Sequence, residues 1–323
     1  MRLFSVSLNK IKGQKGFAIF VVVWGLGLVS LLFVSFMLNS RLRLQTANNV
    51  SKSIQASFIA EGIIHLFATK LLEKREESSE QVILGNYDGR PNYCKFDDAF
   101  IVINIFDESG KIDLNSASSQ LLEIIMSINN VDMDRARKII NWIIDFRSNP
   151  DGTEKSSSPS NTKPFPPKKS AFETIQEIDQ VEGIDPTLFR LMLPFITVHS
   201  FQDGVDPYVA PPALFAALTK EDRNLIRRLI DEPFPNNLNR QDKRFPSQFK
   251  QEGKHNHFTI HVEVLLPTGH KTAKEAIIDF RRTIGFQYSI KEMRSSHSYY
   301  LDKLKSNTNE TISRVVGCYQ LAI

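Results

Sequence analysis

The chain has 323 residues, 41% hydrophobic and 24% charged, which is room for more than one folding unit and an ordinary globular balance that excludes a largely disordered chain. Its net charge of +4 is too small to imply a nucleic-acid partner. Two cysteines, Cys94 and Cys318, match no metal-binding spacing and read either as one disulfide or as two buried thiols.

Phe17 to Leu38 is an uncharged apolar run that, as a helix rising ~1.5 Å per residue, spans ~33 Å and so matches a bilayer core. Arg2, Lys10, Lys12 and Lys15 precede it without an acidic residue, which places the N-terminus in the cytoplasm by the positive-inside tendency. The run is longer than a secretory signal core, and no small-x-small cleavage site follows it. Helical spacing continues beyond it in two apolar rows, Val50, Ile54 and Phe58 in one and Ile59, Ile63, Phe67 and Leu71 in the other, so the helix is expected to reach about Lys74.

After a polar stretch, AFIVINIFDESGK reads as a strand ending in a turn. From about Asp113 to Ile230 the spacing is helical, with capping residues and proline-punctuated turns and no convincing strand. A weak internal repeat lies within this block, IDLNSASSQLLEII against VDPYVAPPALFAAL, pairing Asp113 with Asp206, Ala117 with Ala210 and Leu121 with Leu214. Two stretches, 148–169 and 231–257, have the Pro, Ser, Asn and Lys content of exposed loops or local disorder. Strand patterns return at 257–266, 273–284 and 285–294 and at the C-terminal end. Sheet segments on either side of a helical block predict a discontinuous α+β domain with an all-α insertion. His199, His255, His257, His261 and His270 offer no HExxH or companion-cysteine pattern and are expected to be exposed strand and loop residues.

The leader GQKGFAIFVV, in which Gly16 precedes Phe17 at the start of the apolar run, resembles a prepilin-type signal. Together with FDESGKIDLNSAS, NWIIDF followed by PDGTE, AFETIQEIDQVEGIDPTLFRLMLPFITVHS and VDPYVAPPALFAAL, in that order, the chain resembles the K-type minor pseudopilins of type II secretion, general secretion pathway protein K. The resemblance implies a pilin-like fold with a long N-terminal transmembrane helix and an antiparallel sheet, interrupted by a large helical (helix-hairpin-helix-like) insertion. The implied divisions are a leader at 1–16, a membrane span at 17–38, helix and first strands at 39–112, the insertion at 113–240 and the remaining sheet at 241–323.

It also implies a non-enzymatic subunit at the tip of a periplasmic pseudopilus, single-pass in the inner membrane, that starts assembly for protein export. Implied partners are the I- and J-type minor pseudopilins, other pseudopilins, inner-membrane secretion components and a prepilin peptidase, with no nucleic acid. The peptidase would cut between Gly16 and Phe17, leaving Phe17 N-methylated. Val21, fifth from Phe17, stands where most pilin-like subunits carry a glutamate. Calcium is the implied cofactor, with Asp145, Asp151 and Glu154 around PDGTE as its ligands, since calcium takes six to eight oxygens from irregular loops. Ile143, Ile144 and Phe146 stand among the family's paired aspartates, which weakens that transfer.

The helical block is also similar to the tandem helix-hairpin-helix of membrane-anchored, competence-type DNA receptors. Those units hold phosphate on backbone amides of a Gly-x-Gly hairpin. Here the hairpin INNVDMDRA has no glycine, and VEGIDPT has only Gly183 and sets Asp185 where phosphate would sit.

Overall fold

The computed structural model describes residues 15–77, 87–148, 168–231, 239–281, 287–303 and 316–321. By contact density the chain divides into two units, Met1–Gln55 and Ala56–Ile323. Helix α1 runs Lys15–Glu77, close to the expected end. In the first unit its apolar residues are exposed along their whole length, as in a segment whose solvent is not water.

In the second unit the two apolar rows separate. Ile63, Phe67 and Leu71 are almost fully buried in a core with Ile101, Ile103 and Ile105, Phe258, Ile260 and Val262, and Ala276 and Ile278. These strand residues alternate, so the sheet turns one face to the helix. Phe58 stays exposed.

The sheet has five strands, all antiparallel, in the order β1 (Asp88–Phe96), β2 (Ala99–Asp107), β5 (His257–Leu265), β6 (Lys271–Asp279) and β7 (Ser289–Ser295). Strand β1 carries no clear strand pattern because Pro91 interrupts it. The edge position and a register shift between Asp88 and Pro91 accommodate the missing amide. At the other end of the chain Lys95 bridges Gly317, Cys94 is bonded to Cys318, and the Lys70 ammonium donates to the carbonyls of Cys318, Tyr319 and Leu321. Within the described residues this replaces the expected last strand with a single bridge. Residues 311–315 of that strand lie outside them.

Strands β2 and β5 are direct neighbours, with Asp107 opposite Phe258, so residues 108–256 form one excursion from a single strand pair. The excursion builds a second core, from Ile112 to Phe249, around α2 (Ser119–Ile128), α3 (Met133–Arg147), α4 (Pro186–Met192), α5 (Pro212–Leu218) and α6 (Arg223–Asp231). Phe245 and Phe249, beyond residue 240, belong to it. The expectation of no strand in the block needs correction: β3 (Ile112–Asp113) and β4 (Ile196–Thr197) pair in parallel. Two residues each are too few to leave a periodic signal.

The internal repeat is a duplicated piece of structure. The Asp113 carboxylate accepts from the Asn115 amide at 2.8 Å and its carbonyl from the Ala117 amide at 2.8 Å, while Asp206 does the same for Tyr208 at 2.9 Å and Ala210 at 3.0 Å. Arg147 then donates to the carbonyls of Leu114 and Ala117, both at 2.7 Å, and Arg240 to those of Pro207 at 3.2 Å and Ala210 at 2.6 Å. An arginine that follows or ends each helix pair, Arg147 at the end of α3 and Arg240 beyond α6, thus ties the chain back to the turn that leads into the pair. Asn130 (φ 54°) and Lys220 (φ 57°) end α2 and α5, and Asp132 and Asp222 accept amides at the start of α3 and α6.

Candidate assembly surfaces and the junction of sheet and helical block

α1 is long and apolar enough to cross a membrane. Phe17 and Val21 lie on it, 64% and 51% exposed, and Gly16 is within its first turn. Val21 brings no titratable group into this apolar surface, where an unpaired carboxylate would cost several kcal/mol (~3).

The second candidate region is where the chain leaves and re-enters the sheet, because buried charges collect there. Asp107, at the end of β2, accepts from the Ser109 amide at 2.9 Å and meets His255 Nδ1 at 2.5 Å. The other ring nitrogen of His255 faces Asp206 at 3.7 Å, and Asp206 accepts from the Gly253 amide at 2.9 Å. One imidazole therefore stands between a carboxylate of the sheet and one of the second helical repeat. Glu108 is buried, accepting from Lys111 at 2.6 Å and Thr259 at 2.7 Å; burial pushes its pKa up, but the Lys111 ammonium and the hydrogen bonds to the carboxylate together outweigh this and hold it low. Arg240 continues outward to Asp88 of β1 at 2.7 Å. A Cβ on Gly110 would lie 2.4 Å from the Val209 carbonyl oxygen, so only glycine permits this approach between the exit of the sheet and the second repeat.

The histidine expectation is corrected here. His199, His257 and His261 are buried, and His255 is half-buried. His257 pairs across the strands with Asp279, and His261 with Glu275, each in register. His261 Nε2 lies 3.1 Å from Glu263, which also accepts the amides of Tyr299, Tyr300 and Leu301. Alternation alone could not show this, because the second face of the sheet is covered by segments distant in sequence. Among the described residues no group of three or more His, Cys, Asp or Glu side chains is disposed to hold a metal.

Of the expected calcium ligands, Asp145 pairs with the Lys169 ammonium, while Asp151 and Glu154 lie outside the described residues. The two hairpins that resemble DNA-binding units meet in a groove of about 490 Å³ lined by Asn130, Val131, Asp132, Arg135 and Asp185. Their amides are already taken by the chain's own carboxylates. Asp132 accepts from Asp134 at 3.1 Å, and Asp185 from Thr187 and Leu188, each at 2.9 Å. Arg135 is held by Asp185 at 2.7 Å and the Gly183 carbonyl at 2.8 Å. A phosphate would displace two fixed anions there.

His261 and His255 set a pH dependence. Burial lowers the His261 pKa, but the Glu263 hydrogen bond and Glu275 outweigh it and hold it up at about 9, and Asp107 and Asp206 likewise raise that of His255 against burial. The folded state therefore holds these protons more tightly than an unfolded chain, whose histidines titrate near ~6.5. This stabilisation is full below that value and is lost as pH rises through about 9. Thermal melts of the detergent-solubilised chain are expected to show a midpoint falling from pH 6.5 to 9. His261→Gln should lower the midpoint at pH 6.5, by about 1–3 kcal/mol of stability, and flatten the slope.

No protein-family model matches the sequence, and no curated protein matches it. Among solved structures it is similar to a chain in the structure of the GspK-GspI-GspJ complex of the type 2 secretion system from enterotoxigenic Escherichia coli. The TM-score is 0.53 at 16% identity, and the match covers 79% of this chain and 100% of that one. At such identity what is shared is the fold. This chain carries a pilin-like α+β fold, a long apolar N-terminal helix and an antiparallel sheet interrupted by a helical insertion.

Proposed function

We propose that the chain is a K-type minor pseudopilin, a non-enzymatic subunit at the tip of a type II secretion pseudopilus that initiates its assembly. The observation that carries this reading is a fold likeness spanning the whole of a chain from a complex of GspK, GspI and GspJ, in a protein that also has an apolar N-terminal helix. On this reading the chain is anchored once in the inner membrane, with its N-terminus cytoplasmic and its bulk in the periplasm. The Cys94–Cys318 disulfide suits that oxidising compartment. The DNA-receptor reading loses because both hairpins present carboxylates where phosphate would have to bind.

Val21 supports the tip position. A buried carboxylate at the fifth mature residue is useful where the amine of a subunit ahead can pair with it, and a tip subunit has none ahead. Valine there costs nothing and disfavours insertion behind another subunit.

Three outcomes are expected. The full chain, extracted in detergent after co-expression with I- and J-type minor pseudopilins, should co-purify with both, and failure to associate would remove the reading. Mass spectrometry should find mature chain beginning at Phe17, methylated on its amine, when a prepilin peptidase is present, and an intact leader despite an active peptidase would refute processing. Calcium bound through Asp145 must displace Lys169, so calcium should raise the melting midpoint and Lys169→Ala should tighten its binding; calorimetry without a calcium signal would retire that site.

A further inference from the structure

The second of the duplicated helix pairs carries charge that the fold does not use. Lys220 and Asp222 stand between α5 and α6 as Asn130 and Asp132 stand between α2 and α3, a left-handed residue followed by an aspartate that caps the next helix. In that alignment Arg223, Asn224, Arg227 and Arg228 of α6 take the places of Met133, Asp134, Arg137 and Lys138 of α3. The acid of α3 is a counter-ion, since Asp134 faces Arg137 at 4.0 Å. In α6 an uncharged amide replaces that acid, and an arginine replaces the methionine.

These four residues of α6 share one arc of about 140° of the helix and are exposed, while Leu225, Ile226, Leu229 and Ile230 turn to the core. Elsewhere in the second unit the described arginines are held by carboxylate, carbonyl or amide oxygens, Arg190 excepted. Arg223, Arg227 and Arg228 have no partner among the described residues. Asp231, the last residue of α6, is its only acid and does not neutralise three guanidiniums. Arg223 and Arg227, one turn apart, repel each other, and Arg223 also lies at the positive end of the helix dipole.

A bilayer, a nucleic acid or a protein can supply the missing anions. A surface helix binds a bilayer by burying its apolar face, with charge as the second signal, and the apolar face of α6 is already in the core. Nucleic acid is held through rows of phosphate contacts or by stacking on aromatic rings. α6 has no aromatic residue, and the Asn224 amide at its start already donates to Asp222 at 3.0 Å. Carboxylates suit best, because the planar guanidinium fork pairs with them through two hydrogen bonds.

We infer that the outer face of α6, Arg223 with Arg227 and Arg228, is a docking surface for an acidic helix of another protein, which sets two carboxylates a turn apart and a third in the neighbouring row against the three guanidiniums. The charges select the partner and fix its register. This surface belongs to the helical insertion and does not rest on the pseudopilin reading.

The test holds the full chain in nanodiscs of zwitterionic lipid and titrates it into a labelled helical peptide whose glutamates lie three and four residues apart on one face. A peptide of the same composition with its glutamates spread around the helix, a short DNA duplex and phosphatidylglycerol vesicles are compared. Binding of the patterned peptide, weakening as salt rises, is expected. Arg227→Glu or Arg223→Glu should lower its affinity about tenfold, and lysines in place of the peptide glutamates should restore it. Arg190→Glu should leave it unchanged. Neither α6 variant should lower the melting midpoint, since each sets unlike charges one turn apart. No binding of the patterned peptide, equal binding of the dispersed one, or indifference to both reversals would overturn the inference, as would retention only by the duplex or only by the vesicles. Failure of the I- and J-type subunits to co-purify would end the pseudopilin reading and leave this surface in place.

Discussion

The adjacency of β2 and β5 constrains everything else in the second unit. Asp107 and Phe258 are opposite each other in the sheet, yet residues 108–256 separate them in the chain. The helical block must therefore begin and end at one place. The residues there meet that demand with charge rather than apolar packing: Asp107, His255 and Asp206 in one line, Glu108 with Lys111 in another, and the Asp206 amide donating to the Ser109 carbonyl at 2.9 Å. Buried ion networks are weak sources of net stability but demand a particular geometry, since a displaced member strands the others. A junction of this kind holds the block in one orientation relative to the sheet.

Within the block the same economy appears twice. Arg147 and Arg240 each reach back to the turn that leads into their helix pair, a use suited to a planar fork with several donors. The second arginine extends to Asp88 and so joins the duplicated unit to the sheet, which the first does not. The two copies have diverged in that the arginine of the first holds only its own repeat, while that of the second also reaches the sheet.

Much of this was legible in the residues. The helix and its two apolar rows, the strand at 99–107, the break into helices and the return to strands all follow from periods of 3.6 and 2. The repeat was visible through Asp113 and Asp206, although the arginines that complete it were not, because a hydrogen bond to a carbonyl thirty residues away leaves no local pattern. Strand β1 was hidden by Pro91, and the buried histidines by their company. An alternation of His, Thr, His and Glu reads as a solvated face until Tyr300 and Leu301 are seen against Glu263, Glu108 against Thr259 and Phe201 against His257. That α1 is long and apolar enough to cross a membrane was legible from its composition alone, whereas the separate fates of its two rows needed the sheet.

The insertion between neighbouring strands has a kinetic meaning. Pairing two strands across an unfolded excursion of this length carries a loop-closure entropy that grows as the logarithm of its length, and contacts so distant in sequence form slowly. A block whose helix pairs are local, capped and closed by their own arginines can fold without the sheet. Once folded, its two ends lie side by side at Asp107 and His255, and the long excursion behaves as a short rigid turn. The insertion is then the part of the chain that brings β2 and β5 together, and the sheet, which begins ahead of it, is completed last.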